Sequence, residues 1–169
     1  EIDLLSQLNN QRWLEVNDLQ VSQSKFERFN LTQSDRLSLS AIDVASNHTK
    51  LVILGKPGAG KTTFLQYLAL QCNEGKFQVD RIPVFISLRT FIIEAREAND
   101  FGFASYISRN WQNYGITNEQ VDTLLRQGKI LLLLDGLDEI GDRDNDEILK
   151  QIQQFAEIYY QNQIVVTCR

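Results

Sequence analysis

The sequence has few of the residues that build metal sites and disulfide frameworks. It contains one histidine and only two cysteines, Cys72 and Cys168, which lie far apart and show no metal-ligand spacing. A lone histidine cannot form a metal site on its own. Two isolated thiols of this kind predict reduced cysteines in a cytoplasmic protein.

Long apolar runs are also lacking. The longest, residues 130–134, is far shorter than the roughly 18 residues that a membrane span needs, so no membrane partner is predicted. The polar start, EIDLLSQLNNQR, does not have the basic and then apolar layout of a signal peptide. The chain begins without Met and stops at Arg169 directly after an apolar strand, which predicts a piece of a longer protein.

An excess of basic residues is missing as well. The net charge is -5, and lysine and arginine are scattered, whereas binding to phosphate backbones needs a concentrated basic face. We therefore expect no strong affinity for nucleic acid. With 169 residues, 43% of them hydrophobic, the chain is long enough for one buried core and predicts a single compact domain.

Helical and polar segments come first along the chain, and strands follow. Residues 2–14 predict a short amphipathic helix, residues 17–35 a linker, and residues 40–47 a second short helix. From residue 51 onward, short apolar strands alternate with helical stretches, which is typical of a parallel sheet covered on both faces. The predicted strands are 50–55, 82–88, 129–135 and 163–168; the predicted helices are 62–73, one or two within 101–127, and 147–160.

A glycine-rich segment, GKPGAGKTT, joins the first of these strands to a helix. It fits the spacing G-x-x-x-x-G-K-[ST], in which glycines turn backbone N–H groups toward phosphate, the lysine reaches the β- and γ-phosphates, and the following hydroxyl can ligate Mg²⁺. Thr62 is accordingly a candidate metal ligand and Lys61 a candidate catalytic residue. The predicted phosphate-binding residues are Gly55, Lys56, Pro57, Gly58, Ala59, Gly60, Lys61, Thr62 and Thr63.

An acidic segment follows a second apolar strand. In KILLLLDGLDEI, Asp135 ends the strand at the edge where open α/β sheets bind ligands, so it is the second candidate Mg²⁺ ligand. Gly136 stands where many hydrolytic relatives carry an acid. Asp138 and Glu139 come next and are candidate catalytic acids, either of which could be the base that activates water, with Glu139 favoured.

The last residue, Arg169, follows the strand QIVVTC. It is expected at the same sheet edge as Lys61 and Asp135. A guanidinium there could contact the γ-phosphate and so distinguish a triphosphate from a diphosphate.

Taken together, GKPGAGKTT, LRQGK, LLLLDGLDE and VVTCR resemble the NACHT family of signal-transduction ATPases, which belong to the STAND-type P-loop NTPases. The resemblance covers about residues 51–169. It implies that Gly55 to Thr62 form the Walker A loop, that Asp135 is the Walker B ligand, that Asp138 and Glu139 are the distal acidic pair, and that Arg169 is the sensor arginine.

The resemblance also implies a fold. It predicts a three-layer α/β/α P-loop NTPase of the ASCE type with a mainly parallel sheet and strand order 2-3-4-1. The expected division is an N-terminal helix and linker in residues 1–47 and a nucleotide-binding core in residues 48–169. In related NTPases the stretch before the first strand contributes to the adenine pocket, which makes Phe29 and Leu31 candidate contacts.

The implied function is a switch that binds ATP or ADP with Mg²⁺ and hydrolyses ATP slowly, as a module of a longer chain that self-associates and carries effector and sensor domains. Similar bacterial proteins act in defence against phage, and animal relatives act in innate immunity. Two alternatives are a motor ATPase of the AAA-like group, for which Gly136 is the wrong residue, and a module that only holds ADP. A GTPase is a further alternative; the guanine-reading N-K-x-D motif is absent from these residues, though it could lie beyond Arg169.

Overall fold

A computed structural model describes residues 40–169. The predicted helix at 2–14, the linker at 17–35 and the proposed adenine contacts at Phe29 and Leu31 lie outside the described residues. In chain order the elements are α1 (Ala41–Asn47), β1 (Lys50–Leu54), α2 (Lys61–Asn73), β2 (Ile82–Ser87), α3 (Leu88–Ala98), α4 (Phe103–Gln112), α5 (Asn118–Arg126), β3 (Ile130–Asp135), a 3₁₀ turn (Leu137–Glu139), α6 (Asp142–Ile158) and β4 (Gln163–Cys168).

The four strands form one parallel sheet in the order β1-β4-β3-β2. Read from the other edge this is 2-3-4-1, so the predicted strand order is confirmed. In the register, Leu54 of β1 lies opposite Cys168 of β4, and Leu134 of β3 lies opposite Val166 of β4. The carboxyl ends of β1, β4 and β3 therefore meet at one edge, where the predicted site residues are found.

Helices cover both faces of the sheet. On one face α1 and α2 pack over Leu131, Leu133 and Val165, and on the other α3 to α6 pack over the alternate residues of β2, β3 and β4. Burying strands on two faces explains why β3 and β4 are almost continuously apolar in sequence. The three-layer α/β/α arrangement is as predicted.

Strand β1 is the exception to this burial. It lies at the edge of the sheet, and Val52 and Leu54 are 58% and 69% exposed on the face that α3 to α6 cover elsewhere. Among the described residues no strand pairs with its outer side. An apolar edge of this kind is a surface that proteins usually cover.

Helix α3 was not predicted, and several predicted boundaries differ from those of the structure. The second strand ends at Ser87 rather than Leu88, and α3 begins at once, with Leu88, Phe91, Ile92 and Ala95 buried at helical spacing. The last helix, predicted over 147–160, begins earlier, at Asp142, and ends at Ile158. Acidic residues suit the first turn of a helix because its N-terminus carries a partial positive charge.

Polar side chains connect the segments at the amino-terminal ends of the strands, opposite the site. Asn162, which is fully buried, accepts from the Ile130 amide at 3.0 Å and donates to the carbonyls of Leu125 and Tyr159 at 2.7 and 2.9 Å. Arg81 donates to the carbonyls of Gly128, Ile130 and Gln161 at 2.8, 3.2 and 3.0 Å. These bonds join the start of β3 to the loop that enters β4.

We predict that Asn162→Ala lowers the free energy of unfolding by about 1–3 kcal/mol, because it leaves the buried Ile130 amide without its side-chain acceptor, whereas the Leu125 and Tyr159 carbonyls keep a bond from a backbone amide. Urea denaturation followed by circular dichroism measures this change. Asn110→Ala is the matched control, since the Asn110 amide bonds the Tyr106 carbonyl and contacts the Tyr106 side chain on an exposed helix surface, and its loss should cost about 0.5 kcal/mol. Equal losses for the two variants would contradict the assignment.

Candidate functional site

The glycine-rich segment forms a loop between β1 and α2. The Gly55 amide donates to the Cys168 carbonyl at 3.2 Å, which ties the loop to β4, and the Ala59 amide donates to the Lys56 carbonyl at 3.0 Å, which closes a tight turn. Gly58 and Gly60 have φ angles of +77° and +86°, a region that side chains disfavour. The loop therefore depends on glycine at these two positions, as its spacing predicts.

The loop ends at the N-terminus of a 13-residue helix. The first amides of a helix have no carbonyl partner within it, so the amides of Lys61, Thr62 and Thr63 are available to an anion at this end. Lys56 and Pro57 lie exposed at the tip of the loop. The segment has the arrangement of an anion-binding loop.

Lys61 folds back over this loop. Its ammonium group donates to the carbonyls of Gly55 and Lys56 at 2.6 and 3.4 Å, and among the described residues it forms no ion pair with a carboxylate. Backbone carbonyls bring no full negative charge to the ammonium group, so an incoming anion would not have to displace a carboxylate from it. Lys61 thus lies at the loop that is predicted to bind phosphate.

Asp135 stands at the end of β3 between two hydroxyl groups. Thr62 donates to Oδ2 at 2.8 Å, and Thr167 donates to Oδ1 at 2.6 Å. The contact with Thr62 brings together the two residues predicted to bind Mg²⁺. A hydroxyl and a carboxylate are the hard oxygen donors that Mg²⁺ prefers in proteins, usually alongside waters and substrate phosphates, so these residues fit the ion.

The acidic turn starts at Gly136, whose φ of +84° lies in the left-handed region. This conformation strains any residue with a side chain, and the turn is closed by a 3.0 Å bond from the Glu139 amide to the Gly136 carbonyl. Glycine at this position thus has a local structural cause.

The two acids of the turn have different surroundings. Asp138 forms an ion pair with Arg169, with 2.7 Å between Oδ2 and Nε, and the Asp138 side chain is only 14% exposed. Glu139 is exposed and forms no ion pair among the described residues. The structure therefore brings Arg169 to Asp138 and leaves Glu139 open to solvent.

Thr167 is a site contact that the sequence reasoning missed. It is fully buried, and besides its bond to Asp135 it accepts from the Gly136 amide at 2.9 Å. A hydroxyl inside an otherwise apolar strand, two residues before a candidate site arginine, is the signal that could have identified it.

An apolar groove of about 490 Å³ runs beside the loop. It follows the exposed edge of β1 and reaches the phosphate loop at Gly60, Lys61 and Thr63. On its other side it is bounded by Ala41 and Val44 of α1. The groove thus continues from the anion-binding loop onto an apolar surface.

An anion-binding loop after β1 and a carboxylate at the end of β3, in a parallel sheet of order 2-3-4-1, define a P-loop NTPase. The NACHT domain family model matches residues 49–169, and the chain belongs to the NACHT family. Its members are nucleotide-binding NTPases of the STAND type.

Two relatives show where such a segment occurs. The chain is 29% identical over 136 residues to an uncharacterised WD repeat-containing protein of Nostoc sp. strain PCC 7120, covering 75% of this chain and 9% of the relative. It is 29% identical over 106 residues to the bovine NACHT, LRR and PYD domains-containing protein 9, covering 60% of this chain and 10% of the relative. The chain thus spans about a tenth of the length of these relatives.

Among solved structures, C. elegans PCH-2 aligns with a TM-score of 0.41 and 18% identity, over 76% of this chain and 34% of that chain.

The helices of residues 40–169 include none with the length and apolar character needed to cross a bilayer.

Proposed function

We propose that this chain is the nucleotide switch of a larger signalling protein, binding ATP or ADP with Mg²⁺ and hydrolysing ATP slowly. The observation that carries the proposal is the contact of Thr62 with Asp135 beside Lys61, which within residues 40–169 bonds only backbone carbonyls of the loop. It joins a hard-oxygen metal site to a phosphate-binding loop. The likeness to two much longer proteins supports a role as one module of a longer chain.

Each part of the site has a place in this proposal. The loop amides and Lys61 hold the β- and γ-phosphates, while the apolar groove along β1 offers a surface for the base. Bound at Thr62 and Asp135, Mg²⁺ would neutralise phosphate charge. Glu139 is the favoured base, because it is exposed and forms no ion pair with any residue of the described part of the chain, whereas Asp138 is paired with Arg169.

The biological setting follows from the family resemblance. We propose that nucleotide exchange controls self-association of the whole protein and the activity of an effector in it, in cytoplasmic antiphage defence or innate immunity. The likeness to a bacterial protein supports the bacterial setting. The effector and sensor belong to the rest of that chain.

Removing the phosphate partner tests nucleotide binding itself. Lys61→Ala should weaken the affinity for ATP and ADP by about 100-fold, since a charge-assisted hydrogen bond contributes up to about 3 kcal/mol. Isothermal titration calorimetry measures both affinities. Lys150→Ala, an exposed lysine on α6, is the control and should bind like the wild type. Unchanged affinity in Lys61→Ala would refute the assignment of the loop.

Arg169 tests discrimination between the two nucleotides. If Arg169 contacts the γ-phosphate, Arg169→Ala should weaken binding of a non-hydrolysable ATP analogue about tenfold and leave ADP binding within about twofold. Asp138→Asn, which releases Arg169 from its ion pair, should not weaken binding of the analogue. Equal losses for analogue and ADP in Arg169→Ala would show that the arginine does not contact the γ-phosphate.

Glu139 tests hydrolysis. Glu139→Gln should reduce phosphate release about 100-fold or more, as expected on loss of a general base, while ATP affinity stays within about threefold. Asp138→Asn is the comparison, because a larger fall in that variant would assign the base to Asp138 instead. A wild type that binds nucleotide and releases no phosphate would favour the module that only holds ADP.

A further inference from the structure

Thr167 carries a hydroxyl in a place where an apolar side chain would be the ordinary choice. It is the next-to-last residue of β4, paired opposite Ile53 of β1, and none of its surface is exposed. A buried hydroxyl is costly unless its hydrogen bonds are made. Both of its bonds go to the acidic segment that follows β3.

The directions of these two bonds are fixed by chemistry. The Gly136 amide can only donate, so the Thr167 oxygen accepts from it at 2.9 Å. The hydroxyl has a single proton, and that proton is left for the Asp135 carboxylate, 2.6 Å away at Oδ1. The hydroxyl is therefore not free to rotate, and it contacts one defined oxygen of the carboxylate.

The second oxygen of Asp135 is the one that meets the phosphate loop. Oδ2 accepts from Thr62 at 2.8 Å. Because Thr167 anchors Oδ1, the carboxylate cannot turn about its own bond without breaking a short hydrogen bond, and Oδ2 stays directed at Thr62. The Gly136 amide, held by the same hydroxyl, fixes where the turn with Asp138 and Glu139 begins.

We propose that Thr167 is the positioning residue of this site: it orients the Asp135 carboxylate toward the Thr62 hydroxyl and holds the start of the acidic turn. The inference rests on the proposed function, since it concerns affinity for Mg²⁺-nucleotide. A purely structural threonine would affect stability alone. A positioning threonine also determines how much Mg²⁺ strengthens nucleotide binding.

The test compares ADP affinity with and without Mg²⁺ in the intact protein, by titration calorimetry. In Thr167→Val, which keeps the shape and removes the hydroxyl, the gain in affinity on adding Mg²⁺ should fall about 10-fold or more, as is typical when a residue that orients a metal ligand is lost. Metal-free affinity should stay within about twofold of the wild type. Thr167→Ser, which keeps the hydroxyl, should restore most of the gain.

Two controls separate the possible causes. Thr123→Val makes the same substitution at a threonine whose hydroxyl bonds only a helix carbonyl on an exposed surface, and it should leave the Mg²⁺ gain unchanged. In an Asp135→Asn background, Thr167→Val should have little further effect on the gain, because Thr167 acts through that carboxylate.

The outcomes distinguish this inference from the proposed function. A wild type that binds no nucleotide refutes the proposed function and this inference with it. If the wild type binds Mg²⁺-ADP and Mg²⁺ strengthens ADP binding as much in Thr167→Val as in the wild type, the positioning role alone is overturned. If Thr167→Val does not fold, Thr167→Cys replaces it, because a thiol is a weaker hydrogen-bonding group; an unreduced Mg²⁺ gain in that variant also overturns the inference.

Discussion

The geometry of the site depends on a single carboxylate held between two hydroxyls. Asp135 ends a strand whose other residues are fully buried apolar side chains, and an ionised group there needs partners. Thr62 brings the start of α2 to one oxygen, and Thr167 brings the end of β4 to the other. Three segments far apart in sequence thus meet at one side chain, and the loop, the acidic turn and Arg169 take their positions around it.

At the amino-terminal ends of the strands, opposite the site, two cationic side chains hold neighbouring segments together. Arg81 and Lys50 both donate to carbonyls in the segment that enters β4, Lys50 at 2.5 Å to Asn162 and 3.2 Å to Tyr160. Burial lowers the pKa of Lys50, and the nearby charge of Arg81 lowers it further. The protonated form of Lys50 is therefore less favourable in the folded protein than in the unfolded chain. Polar contacts thus fix the position of β4 at both of its ends.

Sequence predicted the strands and the loop well because each has a local signal. Buried parallel strands are continuous apolar runs, and the phosphate loop has a fixed spacing of glycines before a lysine. Helix α3 was missed because Ser87 alone separates it from β2, with no glycine or proline to mark the change. Thr167 and Asn162 were missed for a different reason: their partners are set by strand register and by a loop packing against a neighbouring strand, neither of which a local pattern contains.

The ion pair between Arg169 and Asp138 has the properties that an exchange of partners requires. The Arg169 side chain is 64% exposed, and an ion pair with so exposed a member contributes only about 0–1 kcal/mol. A γ-phosphate offers the guanidinium more negative charge and bidentate geometry. In the proposed function, a γ-phosphate would therefore compete with Asp138 for the guanidinium of Arg169. Because Asp138 belongs to the turn that carries Glu139, the same exchange would alter the charge beside the favoured base, so contact with the third phosphate and preparation for hydrolysis would be linked through one side chain.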